Sequence, residues 1–224
     1  VKVGKVFDRL AWRYDSWYEK PFGRSIYELE VEAIKRVLPS FGRGVEVGVG
    51  TGRFASALGI QFGLDISFSE LSIARYRGII VVLGDAHEMP FLHNAFDLEL
   101  IVVSICFFEH PDVVLKEVSR TLVPGGHVIL GLVLAESPWA VFYREKGRRG
   151  HPFYSIARFY SFSQVVNMLS SSGLSVNAVV STLLELPFEG RSVRDRRILE
   201  GYIPEAGFTV IRAVSEPGKL NIGR

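Results

Sequence analysis

Apolar positions along the chain follow two rhythms, and the change from one to the other outlines the fold. Phe7, Leu10, Ala11, Tyr14 and Tyr18 recur at helical spacing and predict an N-terminal helix with one aromatic face. A second helix is predicted from Ile26 to Leu38, with Ile26, Leu29 and Val37 apolar, carboxylates alternating between them, and Pro39 as the stop. From residue 45 onward, short apolar runs alternate with helical stretches. Val45–Val47, Ile60–Asp65, Ile79–Leu83, Leu98–Ile105 and Val128–Leu134 read as strands, followed by Leu174–Leu184 and Phe208–Val214. Ile79–Leu83 has the continuous apolar character of a strand buried on both faces. Glu99 is expected near a strand start, within reach of solvent.

Helix signals fall between these runs. Arg53–Leu58 reads as a helix, and Ser67-Phe68-Ser69-Glu70 as a capping box opening the next one. Pro111 suits the first turn of a helix ending at Leu122, and a further helix starts at Ser163 and stops at Gly173. Strand–helix alternation predicts an α/β architecture, a parallel sheet with helices on both faces. Between Pro138 and Phe162 the pattern breaks: Arg144, Lys146, Arg148, Arg149, His151 and Arg158 are interleaved with aromatics. This stretch reads as a lid over the ligand end of the sheet. The tail Pro217–Arg224 is expected to fray.

Composition narrows the class. The 224 residues suit one domain: cap helices over 1–38, a core over 40–135, the lid over 136–162, and the rest of the sheet over 163–216. Hydrophobic content of 48% with 22% charged residues is globular, and a net charge of +2 gives no argument for a nucleic-acid partner. No apolar run reaches membrane-spanning length, and residues 1–5 lack the apolar core of a secretory signal. Cys106 stands alone, so no internal disulfide forms and a cytoplasmic location is expected.

The chemistry concentrates at Val45-Glu46-Val47-Gly48-Val49-Gly50-Thr51-Gly52, a strand running into a turn with glycine at alternate positions. Such a turn lets backbone approach a ligand, and the helix behind it offers amide donors. Asp65, at the end of the next apolar run, is placed to accept both hydroxyls of a ribose. A nicotinamide fingerprint needs a small residue at position 53, where this chain has Arg53, and no glycine is followed by Lys-Ser or Lys-Thr as in a phosphate-binding loop. Glu46 would repel a pyrophosphate and suits a cation. A ligand with a ribose, a positive centre and no phosphate is S-adenosylmethionine.

On these residues the chain resembles the class I S-adenosylmethionine-dependent methyltransferases, in particular the ubiquinone/menaquinone-biosynthesis group. The resemblance runs through Val45–Gly52, Gly63–Ser67, Gly84–Phe91, Asn94–Leu98 with Glu109–Asp112, and Leu115–Gly126, covering about positions 40 to 135. It implies a Rossmann-like three-layer fold with a mostly parallel seven-stranded sheet whose last strand is antiparallel. It implies that Gly48, Val49, Gly50 and Gly52 pass beneath the methionine part of the cofactor, with Glu46 orienting the turn and accepting from the cofactor's ammonium group. Asp65 would hold the ribose, Ile66 would press on adenine, and Asp85 with the Ala86 amide would read the adenine edge. Val103 and Ser104 would meet the ammonium group, and Tyr14 would roof the cofactor.

Other assignments stay open at this level. Asp65 and Asp85 could be ordinary strand-end acids, and Asp97 is expected to be structural. Tyr14 and Trp17 belong either to a helix that merely caps the sheet or to the roof of the site. The lid would contribute Trp139, Tyr143 and Arg144, with Trp17, to an acceptor pocket. His110 is either a general base or a helix-capping or cofactor-lining residue. His87, His93, His127 and His151 show no metal-ligand spacing, and no metal is expected. Three functions follow: methyl transfer to a small molecule by a monomer or homodimer, methyl transfer to RNA through Arg144–Arg158 and Arg191–Arg197, or cofactor binding without transfer.

Overall fold

Strand parity sorts the apolar side chains onto the two faces of a single sheet. The computed structural model describes residues 3–216, so the tail Pro217–Arg224 lies outside the described residues. Its elements are α1 (Val3–Trp17), α2 (Pro21–Val37), β1 (Gly44–Val47), α3 (Arg53–Leu58), β2 (Phe62–Asp65), α4 (Phe68–Tyr76), β3 (Ile80–Leu83), β4 (Phe96–Val102), α5 (Pro111–Thr121), β5 (Leu122–Leu132), α6 (Pro138–Arg148), α7 (Phe162–Ser171), β6 (Leu174–Thr182), β7 (Leu199–Glu200) and β8 (Phe208–Ser215). On β4, Leu98, Leu100 and Val102 face one core with Ile26, Leu29 and Ile34 of α2. Ile101 faces the opposite core with Val114, Leu115 and Val118 of α5 and Val165 and Leu169 of α7. Side chains alternate across a strand, so β4 supports both layers.

The sheet order is β3-β2-β1-β4-β5-β8-β6-β7. β1 pairs in parallel with both β2 and β4, and β8 runs antiparallel to its neighbours β5 and β6. The expected seven strands are present with the last antiparallel, and a two-residue strand, β7, adds an eighth at the β6 edge. Chain order reverses beside β1, and open α/β sheets bind ligands in the crevice that such a switch leaves at the carboxyl ends of the strands. Among the described residues no helix is long and apolar enough to cross a membrane.

Four local expectations need correction. β3 is the outer strand of the sheet, and its Ile80 and Leu83 are each 57% exposed, so its apolar run does not mark burial on both faces. β5 begins at Leu122, and its register against β4 jumps between Phe96 and Leu98, so the Pro124-Gly125-Gly126 turn is a bulge within the strand. Only half of the capping box forms: the Ser67 hydroxyl accepts from the Glu70 amide, while the Ser67 amide donates to Asp65 and leaves the Glu70 carboxyl to other uses.

Glu99 is the fourth correction. It is fully buried between β1 and β5, with Oε1 2.5 Å from the Thr121 hydroxyl. That hydroxyl also lies 2.9 Å from the Glu117 carbonyl and has one hydrogen for two acceptors. A protonated Glu99, donating to Thr121, removes the conflict. Burial, partly offset by the Thr121 contact, pushes the Glu99 carboxyl up to about 8.

The folded pKa therefore lies above the unfolded one, so Glu99's contribution to stability is intact at low pH and is lost as pH rises through about 8. Each pH unit between the two values is worth about 1.4 kcal/mol. Thermal unfolding from pH 5 to 9 should show the wild type losing more stability than Glu99→Gln. Parallel curves would contradict the assignment.

Candidate functional site

The glycine turn leaves β1 under steric constraints that only glycine meets. Gly48 has φ +72°, and a Cβ there would stand 2.7 Å from the Ser104 Cβ, at the end of the neighbouring strand β4. At Gly52, φ +79°, a Cβ would stand 2.9 Å from that of Ala74, so the turn seats directly against α4. Between them, the Gly50 amide donates to Asp65 Oδ2 at 2.8 Å, while Asp65 Oδ1 accepts from the Ser67 amide at 2.8 Å. Each oxygen of Asp65 is thus fixed by one backbone donor and keeps lone pairs for a further one.

Glu46 is buried beneath this turn, and its Oε2 accepts from the Ala55 amide at 2.8 Å. Of the amides at the start of α3, expected to be free, that of Ala55 is bonded to Glu46, and Ser56 donates to the Gly52 carbonyl. Glu46 orients the turn from below and does not line the cleft above it.

That cleft has a volume of about 780 Å³ and is bounded by Gly48, Gly50, Asp65, Ile66, Asp85, Ala86, Val103 and Ser104 among others. The structure brings these together with Tyr14, from four strand ends and α1. Val49 and Gly52 lie behind the wall and shape it without lining it. Asp85 is oriented by His87, whose amide and Nδ1 lie 2.9 and 2.6 Å from Asp85 Oδ1, and whose Nε2 accepts from the His110 amide at 3.2 Å. Nε2 is then the acceptor and Nδ1 carries the proton that it donates to Asp85. His110 occupies the N-cap position of α5 without a side-chain cap bond, and it lines neither this cleft nor the adjoining chamber.

Three wall residues were not singled out from sequence. Asp8 accepts from the Ser67 hydroxyl and the Ser69 amide, pinning α1 to α4. Lys5 lines the outer end of the cleft. Glu70, 3% exposed, comes within 3.5 Å of a Cβ position on Gly50, and its Oε1 is buried without a partner. Burial, then the nearby charges of Asp65 and Asp8, push its carboxyl up to about 9. In sequence Glu70 reads as a capping-box glutamate; only the Ser67 amide's bond to Asp65 leaves it free to face the cleft.

A second cavity, of about 320 Å³, adjoins the first, and Tyr14, Val103 and Phe107 line both. Its walls are aromatic. The Tyr14 and Tyr18 hydroxyls are 2.9 Å apart, Tyr143 stacks on Tyr154 at 4.4 Å, and Phe153 stacks on Phe7 at 5.0 Å. Trp17 and Tyr143 line this chamber as well. Trp139 does not: it is 1% exposed, stacked on Phe22, with its Nε1 donating to the Glu185 carbonyl. Arg144 also stays out of the wall, donating to the Ala135 carbonyl and lying over the Phe159 ring. Trp139 and Tyr143 share one face of α6, so one turn along the helix separates them: Trp139 packs on Phe22 and Tyr143 reaches the chamber. Among the described residues no group of three or more His, Cys, Asp or Glu is placed to hold a metal ion.

Known proteins match this arrangement. A family model described as a methyltransferase domain matches residues 45–130. An uncharacterised protein of Methanocaldococcus jannaschii is 38% identical, over 93% of this chain and 98% of its own. A crystal structure from Thermotoga maritima, described as an S-adenosylmethionine-dependent methyltransferase and possible histamine N-methyltransferase, superposes with a TM-score of 0.88 at 36% identity, over 95% of this chain and 99% of its own. This chain belongs to the class I S-adenosylmethionine-dependent methyltransferases. The ubiquinone/menaquinone biosynthesis C-methyltransferase of Cupriavidus pinatubonensis is 31% identical over 144 residues, 58% of this chain and 59% of that protein.

The methyltransferase has a cleft that fits its cofactor. Asp65 retains acceptor capacity for a diol, the Glu70 Oε1 in the cleft wall is buried without a partner, and the Gly48–Gly52 turn leaves the cradle free of side chains. Asp65→Ala should weaken S-adenosylhomocysteine binding by about 1.5–3 kcal/mol in calorimetry, the worth of hydrogen bonds to a charged group. Unchanged affinity would remove Asp65 from the site.

Proposed function

We propose that this methyltransferase transfers the methyl group to a small molecule enclosed in the aromatic chamber. One observation carries the reading: the chamber and the cofactor cleft share Tyr14, Val103 and Phe107 as walls, so their contents would meet there. S-adenosylmethionine, when bound, supplies a methyl on a sulfonium open to in-line displacement. The chain's part is then orientation and exclusion of water, which can contribute several kcal/mol without any acid or base. Asp65, Asp85 and the glycine turn would fix the cofactor, while Tyr14, Tyr143 and Tyr154 would fix the acceptor against it. A volume of about 320 Å³ suits a metabolite-sized ligand. The small acceptor named in the description of the Thermotoga maritima protein supports this scale.

Transfer to RNA has less support. Arg148 and Arg149 both pair with Glu145, Arg196 bridges Glu28 and Glu32, and Arg197 pairs with Asp195. Guanidiniums matched to carboxylates on their own surface offer little field to a phosphate backbone.

The test is methyl transfer from labelled cofactor into metabolite and RNA pools, for wild type and for Ala157→Phe, which fills the chamber wall. We expect label in a small molecule, loss of transfer in the variant, and S-adenosylhomocysteine affinity within about twofold of wild type. Label in RNA that survives the substitution would overturn the reading.

A further inference from the structure

α2 carries three glutamates at alternate positions, Glu28, Glu30 and Glu32. At 3.6 residues per turn, Glu28 and Glu32 share a face and Glu30 points about 200° away from Glu28. Glu28 and Glu32 reach outward and hold Arg196 at 3.2 and 3.0 Å. Glu30 reaches inward, is 5% exposed, and lines the aromatic chamber. It makes no hydrogen bond or ion pair with any described residue. Nothing in the packing calls for a carboxyl there, since an unpaired buried acid costs stability that an apolar side chain of similar volume would not.

The other ionisable groups around it are neutral, paired or exposed, with Cys106 and Tyr160 raised by burial and the His151 Nδ1 buried without a partner. Tyr14 of α1, Tyr18 just after it, Tyr27 of α2, Tyr143 of α6 and Tyr154 beyond it are phenols kept neutral by burial. Lys146 is paired with Glu189 at 2.5 Å, and burial and nearby cations hold His151 below the usual imidazole range. Arg158 donates to the Glu109 carbonyl, and Arg13 and Lys20 are exposed residues of the wall. Among the described residues, Glu30 is the acid of the chamber without a partner. Burial pushes it up to about 8, so at neutral pH it mostly holds a proton until a cation arrives.

An ammonium group answers both features at once. It supplies the counter-charge that Glu30 lacks, and the faces of the surrounding aromatic rings attract it. We infer that the acceptor is a small primary or secondary amine whose nitrogen is held by the Glu30 carboxylate and loses its proton to it. This rests on the small-molecule reading above and names the class of molecule. The steps balance. The ammonium gives one proton to Glu30 and becomes a free amine; the nitrogen lone pair forms the bond to the methyl carbon; the carbon–sulfur bond breaks and its electron pair stays on sulfur as a neutral thioether. The methylated nitrogen keeps the positive charge, and the proton leaves through Glu30 to solvent.

The test is calorimetric titration of the S-adenosylhomocysteine-saturated protein with amines from ethylamine to tryptamine, each beside its alcohol and carboxylate counterpart, in buffers of differing ionisation enthalpy. Amines should bind about tenfold or more tightly than their alcohols. At pH 7 their binding should release close to one proton, because a protonated Glu30 must ionise to pair. Glu30→Gln should abolish both the preference and the proton release while S-adenosylhomocysteine binds it as it binds wild type, which also reports that the variant is folded. Alcohols or carboxylates binding as tightly as amines, or a Glu30→Gln protein that keeps its preference, would overturn the amine assignment alone. If no compound of any class binds, the small-molecule chamber falls with it.

Discussion

The site depends on one carboxylate. Asp15, near the end of α1, accepts from the Thr51 hydroxyl at 2.7 Å, from Arg53 Nε and Nη2 at 2.8 and 2.9 Å, and from Arg77 Nη2 at 2.9 Å. Burial works against its charge, yet these hydrogen bonds bring its pKa down to about 2. Through them the N-terminal helix is fastened to the glycine turn and to the end of α4. Tyr14 sits one residue before this anchor and lines both cavities. Without the anchor, α1 would keep the Asp8 bonds to α4 and the Phe7 packing, but its C-terminal half, which carries Tyr14, would lose its tie to the glycine turn. Arg53 holds this network at the position where a dinucleotide-binding turn needs a small residue, and so ties the glycine turn to α1.

Buried carboxyls mark the places where this fold departs from apolar packing, and each has a different use. Glu46 spends its oxygen on the Ala55 amide and stiffens the turn. Glu99 locks β4 to the end of α5 through Thr121. Glu70 and Glu30 instead face cavities, one the cleft at the strand ends and the other the aromatic chamber. Acids kept neutral by burial cost stability while they stand unpaired and become strong partners when a cation enters.

The order of strands and helices was legible from residue pattern because strand runs and helical faces differ in period, and the turn chemistry at Gly48–Gly52 has few substitutes. What sequence could not show was depth. An apolar run such as Ile80–Leu83 reads the same at the edge of a sheet as in its middle, and Glu99 reads as a surface residue until β1 and β5 close over it. That Gly48, Gly50, Asp65, Asp85, Val103 and Ser104 would meet was readable, since they cluster at strand ends. The chamber was readable only as aromatic density: Trp139 and Tyr143 look alike in sequence, and four residues of helix separate core from cavity wall. Glu30 was hidden among alternating carboxylates whose roles are set by which face of α2 they occupy.

The central claim is that α1, held by Asp15, completes the binding site. Hydrogen exchange over residues 3–17, with and without S-adenosylhomocysteine, tests it most directly in wild type and Asp15→Asn. The account predicts that the ligand slows exchange across α1 in wild type, and that Asp15→Asn exchanges faster, loses the ligand-induced protection and binds the ligand more weakly. Exchange in α1 that ignores the ligand, with undiminished affinity in Asp15→Asn, would contradict it.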